Sequence, residues 1–193
     1  MKLIQPSFYE QDTVSVARQL LGCTLVRVYQ GKRISGMIVE TEAYLAHDPA
    51  CHAHRGKTAR NAALFGPAGH AYVYFIYGNH YCVNAVSRAP DIQAGGVLIR
   101  ALEPRDGIEM MKQLRGTDNV YQLTNGPGKL AQALAIDRTF NGVPLTQESG
   151  IFIEHGQPVT NDQVTSTTRV GISSAQEHLW RFYITGNAWV SRP

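Results

Sequence analysis

Apolar and polar positions along this chain follow two periods, and most of its elements can be read from them. Val16, Ala17, Leu20 and Leu21 recur at helical spacing, so Thr13 to Leu21 reads as a helix. Asp12 or Thr13 can cap it, and Gly22 suits the position just past its end. Cys23 to Tyr29 alternates as a strand, and Gln30-Gly31-Lys32 is a hairpin turn into a second strand, Ile34 to Leu45. Period two puts Ile38, Glu40, Glu42 and Tyr44 on one face of that strand and Val39, Thr41, Ala43 and Leu45 on the other. Such a strand can anchor in a core while presenting carboxylates to a cleft.

Ala46 to Gly69 is a long connection with one short helix around Thr58 to Phe65. A connection of this length is either functional or disordered, and its aromatic and aliphatic content favours the former. Ala71 to Tyr77 and Tyr81 to Ser87 form a hairpin turning at Gly78-Asn79, with Tyr77 at its tip. Gly95-Gly96 opens another strand running through Leu102, Pro104 breaks it, and Glu109 to Leu114 is a helix. Asn125-Gly126-Pro127-Gly128-Lys129 leads into a helix from Lys129 to Ile136. Its free N–H groups and Lys129 make either an anion site or an ordinary glycine-turn helix start. Ile151 to Glu154, Val170 to Ile172 and Trp180 to Ile184 read as late strands, followed by a turn at Gly186-Asn187. No repeat or linker interrupts the pattern, and strands outnumber helices in mixed order. The expectation is one α+β domain over residues 1–193: a single compact unit with a curved, mainly antiparallel β-sheet, surrounding helices and a protruding β-hairpin.

Composition adds little until it is mapped onto the chain. A net charge of +3 over 193 residues names no partner, but its distribution is uneven. From Pro49 to Pro90 there is no Asp or Glu, while Arg55, Lys57, Arg60, Arg88 and four histidines fall in the same span. An acid-free basic stretch following a carboxylate-bearing strand suggests an enzyme acting on a polyanion. The three cysteines, Cys23, Cys51 and Cys82, lack C-x-x-C spacing and read as reduced thiols of a cytoplasmic protein. The N-terminus shows no secretory signal, and no apolar run approaches the ~20 residues of a membrane span.

The candidate chemistry lies in the same region. Glu40 and Glu42, two apart on a strand, lie only ~6–7 Å apart and point the same way, so they do not straddle a bond. One catalytic carboxylate and one supporting residue fit better than a glycosidase acid and base pair. His47, Cys51, His52 and His54 lack the spaced pairs of a zinc site, so no metal and no cofactor is expected, and the histidines are read as ordered or substrate-contacting. Tyr44 beside Glu42 and Tyr74 on the hairpin could form the walls of a flat slot, with Tyr77 intruding into a stacked duplex. A slot, a carboxylate, an intruding tip and a basic rim are what a base-flipping enzyme needs.

The runs ETEAY (Glu40 to Tyr44), DPACHAHRGKTARN (Asp48 to Asn61), GHAYVYFIYGNHYCVN (Gly69 to Asn84), GVLIRALEP (Gly96 to Pro104) and NGPGKLAQALAI (Asn125 to Ile136) resemble the alkyladenine (3-methyladenine) DNA glycosylase family, in matching order along nearly the whole chain. The resemblance implies a monofunctional DNA N-glycosylase of base excision repair, without lyase lysine, metal or cofactor. It would act as a monomer on double-stranded DNA carrying damaged purines, at the nucleoid of a bacterial-type cytoplasm and away from membranes. Substrates would be alkylated or deaminated purines such as 3-methyladenine, 7-methylguanine and hypoxanthine, with etheno-adenine a further candidate. Glu42 would be the base that activates water, and Arg100 would support that water or a nearby phosphate. Tyr44, His52, Tyr74 and Asn84 would line the base pocket, Asn84 helping to reject unmodified guanine. Tyr77 would be the wedge; Asn79 stands where many members carry a larger apolar residue, which leaves the intrusion to Tyr77. Arg55, Lys57, Arg60 and Lys129 are candidate backbone contacts. The rival readings are a non-catalytic module binding damaged DNA and a metal-dependent hydrolase built on the histidines.

Overall fold

The computed structural model describes residues 2–76, 78 and 80–192. The expected wedge, Tyr77, and Asn79 of the turn lie outside the described residues. Among the described residues, helix α1 (Pro6–Tyr9) is followed by α2 (Thr13–Gln19), whose cap is Asp12: its carboxylate accepts the Ser15 N–H at 2.8 Å. Gly22 follows with φ of +81°, the left-handed stop expected after the helix. Strands β1 (Thr24–Tyr29) and β2 (Lys32–Leu45) pair through a tight turn in which Gln30 and Gly31 both have positive φ, the geometry that matches strand twist.

Strands β3 (Ala71–Ile76), β4 (His80–Val86) and β5 (Gly95–Asp106) continue one antiparallel sheet. β6 (Ile151–Glu154), β7 (Val164–Thr167) and β8 (Arg181–Ile184) complete it. The order is β3-β4-β5-β2-β1-β6, with β8 pairing β2 and β7 pairing β8. β8 joins β2 at Glu40 to Glu42, beyond the β1 pairing that ends at Met37, so the middle of β2 has a strand on each side. Helices α2, α3 (Ile108–Arg115) and α4 (Pro127–Ala133) bring Val16, Leu20, Met111 and Leu130 into a core with Leu25, Ile38, Ile99 and Leu102 from the sheet. These contacts make an α+β fold with one principal core.

The long connection is ordered by its own small cluster, where Cys51, Ala53, Leu64 and Tyr72 pack together. Buried Asn61 pins it internally, donating to the carbonyls of His52 at 2.7 Å and Gly56 at 3.0 Å.

Four local expectations change. Pro104 does not break the third long strand but lies inside β5, opposite Gly36 at a register irregularity. β4 pairs β5 only from Gly96 to Leu98, so at Pro104 no β4 ladder requires the missing N–H. Val170 to Ile172 is a turn rather than a strand, and the missed strand is β7, whose short polar sequence VTST carries no hydrophobic run. Helix α4 starts at Pro127, and only Ala62–Phe65 of the expected short helix is helical, as a 3₁₀ turn.

The close packing of β2 on β5 can be tested at Gly36. A Cβ there would lie 2.8 Å from Leu102 Cβ and 3.0 Å from the Glu103 carbonyl oxygen. Gly36→Ala should lower stability by about 1–3 kcal/mol through overpacking, read as a reduced urea midpoint. An unchanged midpoint would mean the two strands are less tightly packed.

Candidate active site

The site is centred on an irregularity that strict period two does not foresee. Along the β2–β5 pair, Ile38 faces Leu102 and Glu40 faces Ala101, so Val39 is an extra residue on β2. Next, Thr41 faces Ile99, which makes Arg100 an extra residue on β5. Bulges of this kind re-aim side chains, and here they bring Arg100 onto the two carboxylates. Arg100 Nε donates to Glu40 Oε1 at 2.9 Å, Nη1 to Glu42 Oε2 at 3.3 Å, and Nη2 to Ser191 Oγ at 3.2 Å.

Glu40 does not face a cleft. It is fully buried, and Arg181 Nε donates to it at 2.7 Å, as does the Ser191 N–H at 2.7 Å. Burial pushes its carboxyl up, but Arg100, the Ser191 N–H and Arg181 outweigh that and hold it below the usual carboxylate range. Two carboxylates and two guanidiniums thus balance inside the sheet.

Glu42 is also fully buried, one layer behind a pocket wall instead of open to it. Its Oε2 accepts the Tyr44 hydroxyl at 2.8 Å and Arg100 at 3.3 Å, and its Oε1 accepts the Val170 N–H at 2.7 Å. A carboxylate has about four acceptor positions; three are filled here. The fourth, on Oε1, has no partner among the described residues.

In front of it lies a cavity of about 320 Å³, within the range of small-ligand pockets. Tyr44, His52, Tyr74, Asn84 and Arg100 all line it, so the structure brings these expected site residues together. Tyr72 lines it too, although as a buried tyrosine it could have passed for core. Its ring lies 5.3 Å from Tyr74, and His52 meets Tyr74 edge-on at 4.7 Å. The Tyr72 hydroxyl pairs with His52 Nδ1 at 2.9 Å. Burial pushes Tyr72 up to about 12 and raises Tyr44 and Tyr74 as well, so all three phenols stay protonated at neutral pH. Partial burial and Arg60 lower His52, which favours the neutral ring. Asn84 Nδ2 donates to the Tyr72 carbonyl at 3.0 Å, which fixes the amide at the pocket edge.

The remaining wall, Val170 to Ser174, is a segment in which sequence patterning flagged no function, and Pro127 contributes from the start of α4. The histidines are dispersed: only His52 is in the pocket, His47 packs edge-on against Trp180, and His54 is exposed. Among the described residues no group of three or more His, Cys, Asp or Glu is placed to hold a metal ion. All three cysteines are free and buried. Arg55, Lys57 and Arg60 are exposed on the loop carrying His52. Lys129 is half-buried and donates to Gln122 at 2.7 Å and Asn125 at 2.9 Å. Among the described residues no helix is long and apolar enough to cross a membrane.

Known proteins resemble this chain along nearly its whole length. The model of the methylpurine-DNA glycosylase (MPG) family matches residues 7–188. A protein of Carboxydothermus hydrogenoformans named "Putative 3-methyladenine DNA glycosylase" is 50% identical over 98% of this chain and 99% of its own. Relatives with the same printed name are 49% identical in Methanoculleus marisnigri, over 96% of this chain and 97% of the relative, and 45% identical in Salinibacter ruber, over 99% of this chain and 97% of the relative.

The role of Glu40 can be separated from that of a surface acid by pH. Its folded-state pKa is depressed, so its stabilising contribution is present above the unfolded carboxylate pKa and lost as pH falls through the folded value. Glu40→Gln leaves two guanidiniums facing one carboxylate and should cost about 3 kcal/mol near pH 7. That gap should close as wild type and variant are unfolded at progressively lower pH. A gap independent of pH would contradict the assignment.

Proposed function

This chain belongs to the methylpurine-DNA glycosylase family, and from that premise we propose that it is a monofunctional, metal-independent DNA N-glycosylase, with residues 1–193 acting as one catalytic domain. Its substrate is double-stranded DNA containing 3-methyladenine or 7-methylguanine, together with deaminated hypoxanthine and, as a further candidate, etheno-adenine. It acts as a monomer at the bacterial-type nucleoid. The observation that carries this reading is an aromatic pocket backed by a buried carboxylate with one acceptor position left.

A flipped purine enters between Tyr44 and the cluster of Tyr72, Tyr74 and His52, with Asn84 at its edge. Glu42 holds a water at the remaining acceptor position of Oε1, beside the Val170 N–H, and takes a proton from it as the water attacks C1′ and the glycosidic bond breaks. A base methylated at a ring nitrogen already carries positive charge and leaves without an acid, whereas hypoxanthine needs a proton. Weakly paired bases are also the easiest to extrude, since unstacking costs only a few kcal/mol. Tyr77, between β3 and β4 in sequence, is the wedge on the strength of that position. Arg55, Lys57 and Arg60 suit phosphate contact by exposure; Lys129 does so less, because two side chains already hold it.

The test is release of free base from methylated duplex DNA in the presence of EDTA. Free 3-methyladenine and an abasic strand are expected, at a rate unaffected by the chelator. Binding without release would identify a non-catalytic module, and loss of release in EDTA would identify a metal-dependent hydrolase.

A further inference from the structure

Three parts of the pocket meet behind Tyr44 at one buried ion pair. The side chains of Arg169 and Asp48 are both fully enclosed. Arg169 Nη1 and Nη2 each reach one oxygen of the Asp48 carboxylate, the second at 3.0 Å. The same guanidinium donates to the Ala43 carbonyl at 3.0 Å and the Ala175 carbonyl at 3.4 Å. Its carbon sits 4.7 Å from the Tyr44 ring centroid and 5.1 Å from that of Trp180.

Each contact leads to a different wall. Asp48 accepts the Ala50 N–H at 2.9 Å and opens the segment Pro49 to His52. Ala43 lies on β2 between Glu42 and Tyr44. Arg169 directly precedes Val170, whose N–H reaches Glu42 at 2.7 Å and which begins the wall ending at Ser174. A buried ion pair is a poor source of net stability, since desolvation offsets most of the attraction. A planar fork can, however, hold several acceptors in fixed directions, which no apolar side chain can do.

We propose that Arg169, anchored by Asp48, is the positioning residue of this site: it fixes the Val170 N–H on Glu42 and so holds that carboxylate with its remaining acceptor position toward the pocket. Arg169 touches neither substrate nor water and acts through Glu42. The inference rests on the reading of Glu42 as the base.

Single-turnover base release from DNA carrying one lesion should be measured for wild type, Arg169→Lys, Glu42→Gln and the double variant, with lesion binding and thermal midpoint recorded for each. Lysine keeps the charge but cannot span Asp48 and both carbonyls. The release rate of Arg169→Lys should fall at least tenfold while the dissociation constant changes less than threefold. In the Glu42→Gln background the same substitution should have no further effect, because residues acting as a unit are non-additive. Asp48→Asn should repeat the pattern if Arg169→Lys folds poorly. Equal losses in both backgrounds, or a loss that tracks the thermal midpoint, would overturn the proposal. If Glu42→Gln retains the wild-type rate, the reading of the base fails and takes this inference with it. If Glu42→Gln abolishes release but the Arg169 and Asp48 variants do not slow it, only the inference fails.

Discussion

The structure depends on burying Glu40 and Glu42 in the middle of a sheet. Isolated carboxylates could not remain ionised there, because removing a charge from water costs far more than any single contact returns. Arg100 and Arg181 come from strands on opposite sides of β2, and Ser191 closes the group from the C-terminal segment. The sheet order, with β8 reaching back across the chain to pair β2, is therefore tied to charge balance as much as to hydrophobic burial. The two bulges at Val39 and Arg100 are the local form of the same constraint. They interrupt the ladder and in return aim a guanidinium at both acids.

This arrangement divides the labour between two residues that look alike in sequence. Glu40 is held from several sides by Arg100, Arg181 and Ser191 and is structural. Glu42 touches two residues of the pocket wall through their side chains, Tyr44 and Arg100, and a third through its backbone, Val170. It is screened from bulk solvent yet hydrogen-bonded to the lining of the cavity. As the proposed base it would work in a water-poor setting where its interactions are strong, with aromatic rings lining the cavity in front of it.

Much of this was legible in the sequence because it is local. Helical spacing located α2, alternation located β1 and most of β2, and the glycine turns located the hairpins. The ETEAY run and the acid-free stretch after it indicated the site. What could not be read depends on register and long-range partners. Strict alternation put Glu40 and Glu42 on one cleft-facing side because a bulge has no signature in a single strand, and β7 was missed because VTST is polar and held only by its neighbour. Arg169 and Asp48 are 121 residues apart, and no local pattern connects them. The wall from Val170 to Ser174 has the residues of a turn and acquires its role only through where the chain places it.

The central claim is that a carboxylate sealed behind the pocket wall does the chemistry. It is tested most directly by single-turnover release of 3-methyladenine from DNA by Glu42→Gln, which keeps the shape of the side chain but cannot accept the water's proton. A positioned general base contributes about 10²–10⁴-fold, so release should fall by at least 10²-fold while lesion binding persists. Release near the wild-type rate from a folded Glu42→Gln protein would contradict the account.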